Sequence, residues 1–362
     1  MHGTGFSQSI DSEALLNPVV GALLSLMIHK ALARLRREMA AGLRFGSYRL
    51  EHKLGEGGMG EVWLARHPLL ARPAAIKVMH RERLESDRSR REEMLERFLR
   101  EARTTASLES PHTVRVLDYG VLEDGEAFLV MENLEGIDLG SLVRESGPQP
   151  IDRVRSILLQ ACESLEEAHD KGLVHRDLKP ANLMLCRANR RLDQLKVLDF
   201  GIVQVDSDQG EPLTRTGALV GTAGYLAPEL LAGEQAAATP SSDIYALACV
   251  AFYLLTGRAV FTAGPALAQL SAHLRDDPLP PSSFAESLPA AWDELVLSCL
   301  AKSPGDRPAS IPELARSLEA IAPSGDWSQE DQAAWWRDFP ERSSEWVGRA
   351  DEGTPTEEAG GS

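Results

Sequence analysis

The chain has 362 residues, of which 43% are hydrophobic and 25% are charged, a composition typical of a folded globular protein rather than a disordered or fibrous one. It carries 38 Lys and Arg against 54 Asp and Glu, so its formal net charge is -16, which disfavours general binding to nucleic acid or anionic membranes. Its four cysteines lack CxxC spacing, which argues against disulfides and structural zinc and favours a reducing, cytoplasmic location.

Residues 1–46 are predicted to form an N-terminal extension with one apolar helix. The apolar run 14–28 contains Asn17 and Pro18 and is shorter than the roughly 20 residues that a membrane span needs. Its basic residues come after the apolar run, whereas a secretory signal has them before it. We therefore expect no transmembrane span and a helix that docks on protein, with contact to a membrane surface as the alternative.

Between residues 47 and 134 the sequence predicts a small sheet with one main helix. Strand-like patterns occur over 48–54, 62–64, 74–79, 114–119 and 127–131, and apolar spacings of three and four predict a helix over 95–106. Residues 135–322 are mainly helical, with helices predicted over 152–171 and 243–256. The second of these is apolar on nearly all sides, which indicates a buried centre, and Ser242 is its predicted N-cap.

Residues 323–362 form an acidic, tryptophan-rich tail. The stretch 326–362 holds ten acidic and three basic residues, and four of the six tryptophans of the chain. Acidic sequence of this kind is typical of mobile tails, but clustered tryptophans are costly to leave in water. The tail therefore either packs on its own domain or awaits a partner.

A glycine-rich motif follows the first of these strands. It reads Gly55-Glu56-Gly57-Gly58-Met59-Gly60, and its GxGxxG spacing also occurs in dinucleotide-binding turns. Those turns lead into a helix, whereas here the β-prone residues 61–64 follow. We interpret the motif as a hairpin tip that lies over phosphates, with Val62 covering a flat base. A plain hairpin is the alternative.

Two residues of the first unit have opposite charges near apolar sequence. Lys77 follows the apolar residues 74–76, and Glu101 lies at the edge of the apolar stripe of the predicted helix. A lysine inside a protein is costly unless it is paired. The helix can present Glu101 to Lys77, and an ordinary surface pair is the alternative.

Residues 175–182, His-Arg-Asp-Leu-Lys-Pro-Ala-Asn, and 199–201, Asp-Phe-Gly, supply the groups that phosphoryl transfer needs. Such a transfer requires cations on the phosphates and a carboxylate that receives the hydroxyl proton. Asp177 would orient the acceptor hydroxyl, and Lys179 would reach the transferred phosphoryl group. Asn182 and Asp199 offer oxygen ligands for Mg²⁺, and the strand-like stretches 183–185 and 195–198 predict a hairpin that brings them together.

In this order, the motifs make residues 48 to about 322 resemble a eukaryotic-type serine/threonine protein kinase of the bacterial branch. The resemblance implies an α+β, bilobal fold, with a small β-rich N-terminal lobe (47–134) that holds one main helix and a larger, mainly helical C-terminal lobe (135–322). It also implies a buried ion pair between Glu229 and Arg307, and it implies that Asp243 anchors the catalytic loop. Two further motifs match the family, Ala75-Ile76-Lys77 and Ala227-Pro228-Glu229.

The resemblance also implies a set of ATP-binding residues. Lys77 would bind the α- and β-phosphates and pair with Glu101 in the active state, and Asp138 would contact the ribose. Met131 would gate the back of the adenine pocket. The residues around the base would be Leu54, Val62, Ala75, Met131 and Met184 through their side chains, and Glu132 and Leu134 through backbone groups.

Serine/threonine specificity is implied by Lys179 and by Thr222, which resembles the substrate-side threonine of that class. Thr214 and Thr216 lie in the expected activation segment and match sites of regulatory phosphorylation. A phosphothreonine there could form charge-assisted hydrogen bonds with Arg176 and order the loop. The sequence thus predicts a switch operated by autophosphorylation.

The expected function is ATP- and Mg²⁺-dependent phosphorylation of protein Ser and Thr hydroxyls in bacterial signal transduction, with Mn²⁺ as an alternative metal. Expected partners are protein substrates and a second copy for trans-autophosphorylation. One alternative is a pseudokinase scaffold that binds partners through the tryptophan-rich tail, and another is a kinase of small molecules or lipids. The intact catalytic motifs argue against the first, and the segment 222–229 argues against the second.

Overall fold

The structure is a computed structural model, and it describes residues 44–45, 47–57, 60–69, 72–79, 88–122, 125–188, 191–200, 223–231, 238–262 and 264–339. The predicted apolar helix at 14–28 lies outside these residues, as do Gly58, Met59, Thr214, Thr216 and Thr222. Within the described ranges, no helix combines the length and the apolar character that crossing a bilayer requires.

The N-terminal lobe is built on an antiparallel sheet of six strands. In chain order they are β1 (Arg44–Phe45), β2 (Tyr48–Gly57), β3 (Gly60–Arg66), β4 (Ala74–Met79), β5 (Val116–Val121) and β6 (Ala127–Glu132). Their spatial order is β1-β2-β3-β4-β6-β5. The predicted strand 74–79 is confirmed at both ends, and the strand predicted at 114–119 lies at Val116–Val121.

Helix α1 (Arg88–Ala106) packs on one face of this sheet. Successive side chains of a strand point to opposite faces of the sheet. Ala75 and Leu129 point to the face on which helix α1 packs, and they are buried there in one cluster with Phe98 and Ala102 of the helix. Ile76 and Val130 point the other way into a second apolar cluster. Strand β4 therefore has buried side chains on both faces of the sheet.

The C-terminal lobe begins with β7 (Gly136–Asp138), α2 (Leu139–Ser146) and α3 (Ile151–Asp170). A hairpin of β8 (Leu183–Ala188) and β9 (Arg191–Val197) pairs with β7 in a three-stranded sheet, in the order β7-β8-β9. The remaining described helices are α4 (Pro240–Thr256), α5 (Ala266–Arg275), α6 (Ala290–Cys299), α7 (Ile311–Ala320) and α8 (Gln329–Asp338).

Helix α4 forms the centre of the C-terminal lobe, as its sequence predicts. Nearly all of its residues are buried, and it ends at Gly257, whose φ of 72° is the left-handed conformation that glycine favours. The predicted N-cap at Ser242 is wrong, because the helix begins at Pro240 and Thr239 is the cap. Proline is well suited to a first helical turn, and the Ser242 hydroxyl accepts a hydrogen bond of 3.2 Å from the Thr239 N–H.

The described part of the acidic tail packs on this lobe. The Asp326 carboxylate accepts hydrogen bonds from the Ile151 and Asp152 N–H groups at 2.7 and 2.9 Å, at the start of α3. In return, the Asp152 carboxylate accepts hydrogen bonds from the Ser324 and Gly325 N–H groups. The bonds to Asp326 satisfy amides that the first turn of α3 leaves unpaired. Of the two possibilities for the tail, the structure shows packing on its own domain for residues up to 339.

Three tryptophans of the tail surround a buried ion pair, and we call this group the tryptophan clamp. The Arg153 guanidinium, 1% exposed, bonds to the Asp193 carboxylate at 3.0 and 2.9 Å and lies 4.3 Å from the ring centres of both Trp327 and Trp335. The indole N–H groups of Trp327 and Trp336 donate to Asp193 at 2.8 and 2.7 Å. Every charge in the clamp therefore has partners, which compensates for its burial.

Candidate active site

The glycine-rich motif forms the end of the hairpin between β2 and β3. Gly57 pairs in register with Gly60, and Gly55 pairs with Val62, as the hairpin interpretation requires. A Cβ atom at Gly60 would lie 2.0 Å from the Val78 carbonyl oxygen, so only glycine fits where β3 passes β4. The hairpin is thereby fixed against the strand that carries Lys77.

The structure brings most of the predicted adenine-binding residues into one apolar cluster. Leu54, Ala75 and Met131 are buried in the cluster, and Val62 and Leu134 pack against it. Met184 is buried in β8 instead, where it pairs in register with Asp138. The predicted residues are thus divided between the apolar cluster of the N-terminal lobe and strand β8, and their contact with adenine stays a prediction.

Asp138, the predicted ribose contact, caps helix α2. Its carboxylate accepts hydrogen bonds from the Ser141 N–H at 2.9 Å and from the Ser141 hydroxyl at 2.8 Å. Burial raises the pKa of the Asp138 carboxyl, although these hydrogen bonds and the nearby Arg144 oppose the rise. Aspartate is a preferred N-cap residue, so the position of Asp138 just before α2 was an available signal of this role. The ribose contact stays a prediction.

Asp243, in the first turn of α4, holds the loop that follows α3. Its carboxylate accepts hydrogen bonds from the His175 and Arg176 N–H groups at 2.8 and 3.0 Å, and its Oδ2 lies 2.8 Å from the His169 Nε2. The His175 ring in turn lies 2.8 Å from the Leu198 carbonyl oxygen, just before Asp199. The most buried helix of the lobe therefore sets the position of the loop that carries Asp177.

Asp177, Lys179 and Asn182 lie together at the end of that loop. The Asn182 amide nitrogen donates to the Asp177 backbone carbonyl at 2.7 Å and to the Asp177 Oδ2 at 3.1 Å. The Lys179 ammonium is 3.4 Å from the same Oδ2. The Leu198 N–H donates to the Asn182 carbonyl at 2.9 Å, so the predicted hairpin places Asn182 beside the segment that ends in Asp199.

Lys77 and Asp199 meet in the cleft between the lobes. The Lys77 Nζ lies 2.8 Å from the Asp199 Oδ2, and the two side chains are 13% and 35% exposed. Burial by itself would raise the pKa of the Asp199 carboxyl, but the neighbouring Lys77, and to a smaller extent Lys179, hold it below its ordinary value of 3.8. The ionised form of Asp199 is thus favoured, chiefly by Lys77.

Glu101 contacts the catalytic loop in this structure. Its carboxylate lies 3.0 Å from the Arg176 guanidinium, and Arg176 has a φ of 68°, an uncommon value for a residue with a side chain. The sequence assigned a Lys77–Glu101 pair to the active state, and the structure shows each of these residues with another partner. The pair therefore stays a prediction for a different state.

Glu229 and Arg307 form the ion pair that the resemblance implied. The Arg307 side chain is fully buried, and two of its nitrogens donate to the Glu229 carboxylate at 2.8 and 2.7 Å. Arg307 also donates to the carbonyl oxygens of Ala301 and Ser241 at 2.8 and 2.9 Å. This pair joins the end of the activation segment to the helices of the C-terminal lobe.

Sequence reasoning missed three buried charged residues. Arg153 and Asp193 form the centre of the tryptophan clamp, and Lys196 bonds to Glu132. Arg153 occupies a position within the apolar periodicity of α3, which was an available signal of burial. Nothing in the local sequence identifies the partners of these residues, because each partner is distant along the chain.

Comparison with known proteins agrees with this arrangement. The family model described as "Protein kinase domain" matches residues 48–318. Serine/threonine-protein kinase PknB of Mycobacterium tuberculosis is 39% identical over 277 residues, which are 76% of this chain and 42% of that protein. The chain belongs to the protein kinase family, on the bacterial serine/threonine branch, and the predicted α+β fold class is confirmed.

Other relatives give the same picture. Serine/threonine-protein kinase pkn3 of Myxococcus xanthus is 37% identical over 278 residues, 76% of this chain and 50% of that protein. The chain thus spans half or less of the length of these two relatives. The crystal structure of the Mycobacterium tuberculosis PknI kinase domain has a TM-score of 0.61 at 30% identity, covering 78% of this chain and 99% of that one.

Proposed function

We propose that this chain phosphorylates Ser and Thr hydroxyls of proteins with the γ-phosphate of ATP. The contact of 2.8 Å between the Lys77 Nζ and the Asp199 Oδ2 is the observation that supports this most strongly. Lys77 belongs to the sheet of the N-terminal lobe, and Asp199 follows β9 of the C-terminal lobe. A cation for the phosphates and a carboxylate for a metal therefore meet in one cleft, and the strand that carries Lys77 pairs with a strand of the glycine-rich hairpin.

The oxygen atoms near Asp199 fit a magnesium ion that arrives with the nucleotide. The Asn182 amide nitrogen is bonded to Asp177, which leaves its oxygen as the coordinating atom, and Asp199 supplies an ionised carboxylate. Mg²⁺ typically takes one or two such side chains and completes its shell with phosphates and water. When bound with ATP, it would neutralise charge on the transferred phosphoryl group.

Asp177 is the residue that we assign to the acceptor hydroxyl. The Asn182 amide and the Lys179 ammonium both approach its Oδ2, so the carboxylate is held in one orientation. Asp177 would accept the proton of the Ser or Thr hydroxyl. Lys179, beside it, would hold the phosphoryl group as it moves to that hydroxyl.

The ion pairs of Arg176 and Lys77 in this structure support a resting state, which autophosphorylation would convert to the active state. Arg176 is bonded to Glu101, and Lys77 to Asp199. A phosphate on Thr214 or Thr216 would attract the Arg176 guanidinium, because phosphate carries more charge than a carboxylate and accepts several hydrogen bonds. Glu101 could then pair with Lys77, and Asp199 would become available to the metal.

Transfer of radiolabel from ATP to a generic protein tests the main proposal. We expect incorporation into serine and threonine but not tyrosine. We expect Asp177→Asn to lower the rate of incorporation by about 10²- to 10⁴-fold. Asp277→Asn, at an exposed aspartate outside the site, is the matched control and should retain the wild-type rate. Wild-type protein that gives no transfer and no calorimetric heat with Mg-ATP would refute the proposal and favour the scaffold alternative.

A mixing experiment tests the switch and self-association. Wild-type protein should phosphorylate a tagged Asp177→Asn copy on Thr214 or Thr216, detected by mass spectrometry of the tagged chain. The double variant Thr214→Ala, Thr216→Ala should have low activity. If this double variant keeps full activity, the switch is wrong, while the assignment of kinase activity is unaffected.

A further inference from the structure

Lys196 is a buried cation that the proposed reaction does not use. It lies on β9, shortly before Asp199, and the residue is 9% exposed. Its Nζ lies 2.6 Å from the Glu132 Oε1 and 3.3 Å from the Thr113 carbonyl oxygen. Lysine is rarely buried unless it is paired, so these two contacts account for its position.

Glu132 is the last residue of β6, where the chain leaves the N-terminal lobe. Its Oε1 also accepts a hydrogen bond of 2.9 Å from the Arg115 N–H, and its own N–H donates to the Arg115 carbonyl at 3.0 Å. Both the side chain and the backbone of Glu132 are therefore fixed. The connecting segment between the lobes begins at a residue whose orientation Lys196 helps to determine.

The segment around Thr113 completes this group of contacts. The Val114 N–H donates to the Val197 carbonyl at 2.9 Å, and the Val197 N–H donates to the His112 carbonyl at 2.7 Å. Strand β9 thus bonds through its backbone to the segment before β5, and through the Lys196 side chain to the end of β6. The strand that leads to the metal carboxylate and the segment proposed to bind adenine are parts of one bonded unit.

We propose that Lys196 is a positioning residue, which fixes the adenine-binding backbone of residues 132–134 relative to Asp199. This rests on the proposed function, because it assumes that the Glu132 and Leu134 backbone groups bind the base. When Lys196 bonds to Glu132, the base and the metal-bound phosphates have a fixed separation. Loss of this bond should weaken binding of the base while leaving binding of the phosphates unchanged.

Two nucleotide probes separate positioning from simple stabilisation. Lys196→Met removes the charge and keeps an unbranched chain, and we expect the Kd of Mg-ATP to rise about five- to tenfold, measured by calorimetry. The Kd of Mg-tripolyphosphate, which has no base, should change by less than about twofold. In turnover, KM for ATP should rise more than kcat falls. Lys196→Arg, which keeps a cation, should restore part of the affinity.

Glu132→Gln is the second variant and keeps an oxygen that can accept from the Arg115 N–H. It should raise the Kd of Mg-ATP in the same direction, and the double variant with Lys196→Met should be no weaker than the worse single variant. Lys171→Met is the matched control, since Lys171 also pairs with a glutamate, Glu167, away from the cleft. We expect the control to bind Mg-ATP as the wild type does.

Two results would overturn the inference. One is an unchanged Kd of Mg-ATP in folded Lys196→Met, or in Glu132→Gln if Lys196→Met does not fold. The other is an equal loss of affinity for Mg-ATP and Mg-tripolyphosphate, which would show general distortion of the cleft. Wild-type protein that binds neither probe would instead contradict the proposed function itself, so the two failures are distinguishable.

Discussion

Replacing Trp336 with alanine should strongly destabilise the C-terminal lobe. The side chain is 4% exposed, its N–H donates to the Asp193 carboxylate at 2.7 Å, and its ring packs edge-on against Trp335 and Phe339. Truncation of a buried aromatic side chain to alanine costs about 3 to 5 kcal/mol, because apolar contacts are lost and a cavity remains. We expect the free energy of unfolding of Trp336→Ala to fall by that amount.

A second substitution at the same position separates the hydrogen bond from the packing. Trp336→Phe keeps an aromatic ring but removes the N–H donor to the Asp193 carboxylate. A hydrogen bond to a charged group contributes about 1.5 to 3 kcal/mol. Because Asp193 keeps Arg153 and Trp327 as donors, the lower end applies. Trp336→Phe should therefore lose at least about 1.5 kcal/mol. The smaller ring also gives up some packing, but the total loss should stay below that of Trp336→Ala.

Urea unfolding followed by far-ultraviolet circular dichroism measures these differences, since tryptophan fluorescence would change with the substitution itself. Leu267→Ala is the control, because Leu267 is 68% exposed on helix α5. Surface substitutions of this kind usually change stability by less than about 0.5 kcal/mol. If Trp336→Ala unfolds at the same urea concentration as Leu267→Ala, the clamp does not stabilise the lobe.

Four other predictions concern buried polar groups. Arg307→Met should lower the free energy of unfolding by about 3 to 5 kcal/mol in urea, because it leaves Glu229 without its buried partner. Burial opposes ionisation of Glu229, but Arg307 holds the pKa of its carboxyl below 4.5. The free energy of unfolding should therefore fall as the pH falls below 4.5, and this fall should be smaller in Glu229→Gln. Burial lowers the pKa of His273 to about 4 from 6.5, so the unfolded chain takes up its proton first. Stability should thus fall by on the order of 2 to 3 kcal/mol between pH 6.5 and 4, and His273→Gln should remove this dependence. All four cysteines are buried, so iodoacetamide at pH 8 should label none of them in the native protein and all of them in urea. Mass spectrometry counts the labels, and one label on the native protein would contradict the prediction. Burial raises the thiol pKa to about 12 for Cys162, Cys186 and Cys299.

Much of the fold could be predicted because its signals are local. The strand 74–79 was predicted from its short apolar run and the helix 152–171 from apolar residues spaced at three and four. The structure places both within a residue of the expected limits. The N-cap of α4 could not be predicted in this way. Thr239 and Ser242 are both good capping residues, and only the bonds of Ser242 to Thr239 and Glu229 distinguish them.

In the candidate site, too, local sequence identified the residue types, whereas tertiary packing decided their partners. Asp177, Lys179, Asn182 and Asp199 were identified from two short motifs, because phosphoryl transfer needs those side chains whatever surrounds them. The partners that these groups have in this state were beyond such reasoning. Whether Lys77 contacts Glu101 or Asp199 depends on where helix α1 lies relative to the catalytic loop, and that position is a property of the packed lobes.

The sequence by itself determined the class of fold and predicted the chemistry of the cleft, because the residue types and their local periodicity carry that information. Only the tertiary structure decided how the acidic tail packs up to residue 339 and which buried charges pair. The tail had the composition of a mobile segment, yet Trp327 and Trp336 reach Asp193, a residue far away along the chain. Desolvated charges must find partners wherever the fold brings them, and the three-dimensional packing alone specifies which ones meet.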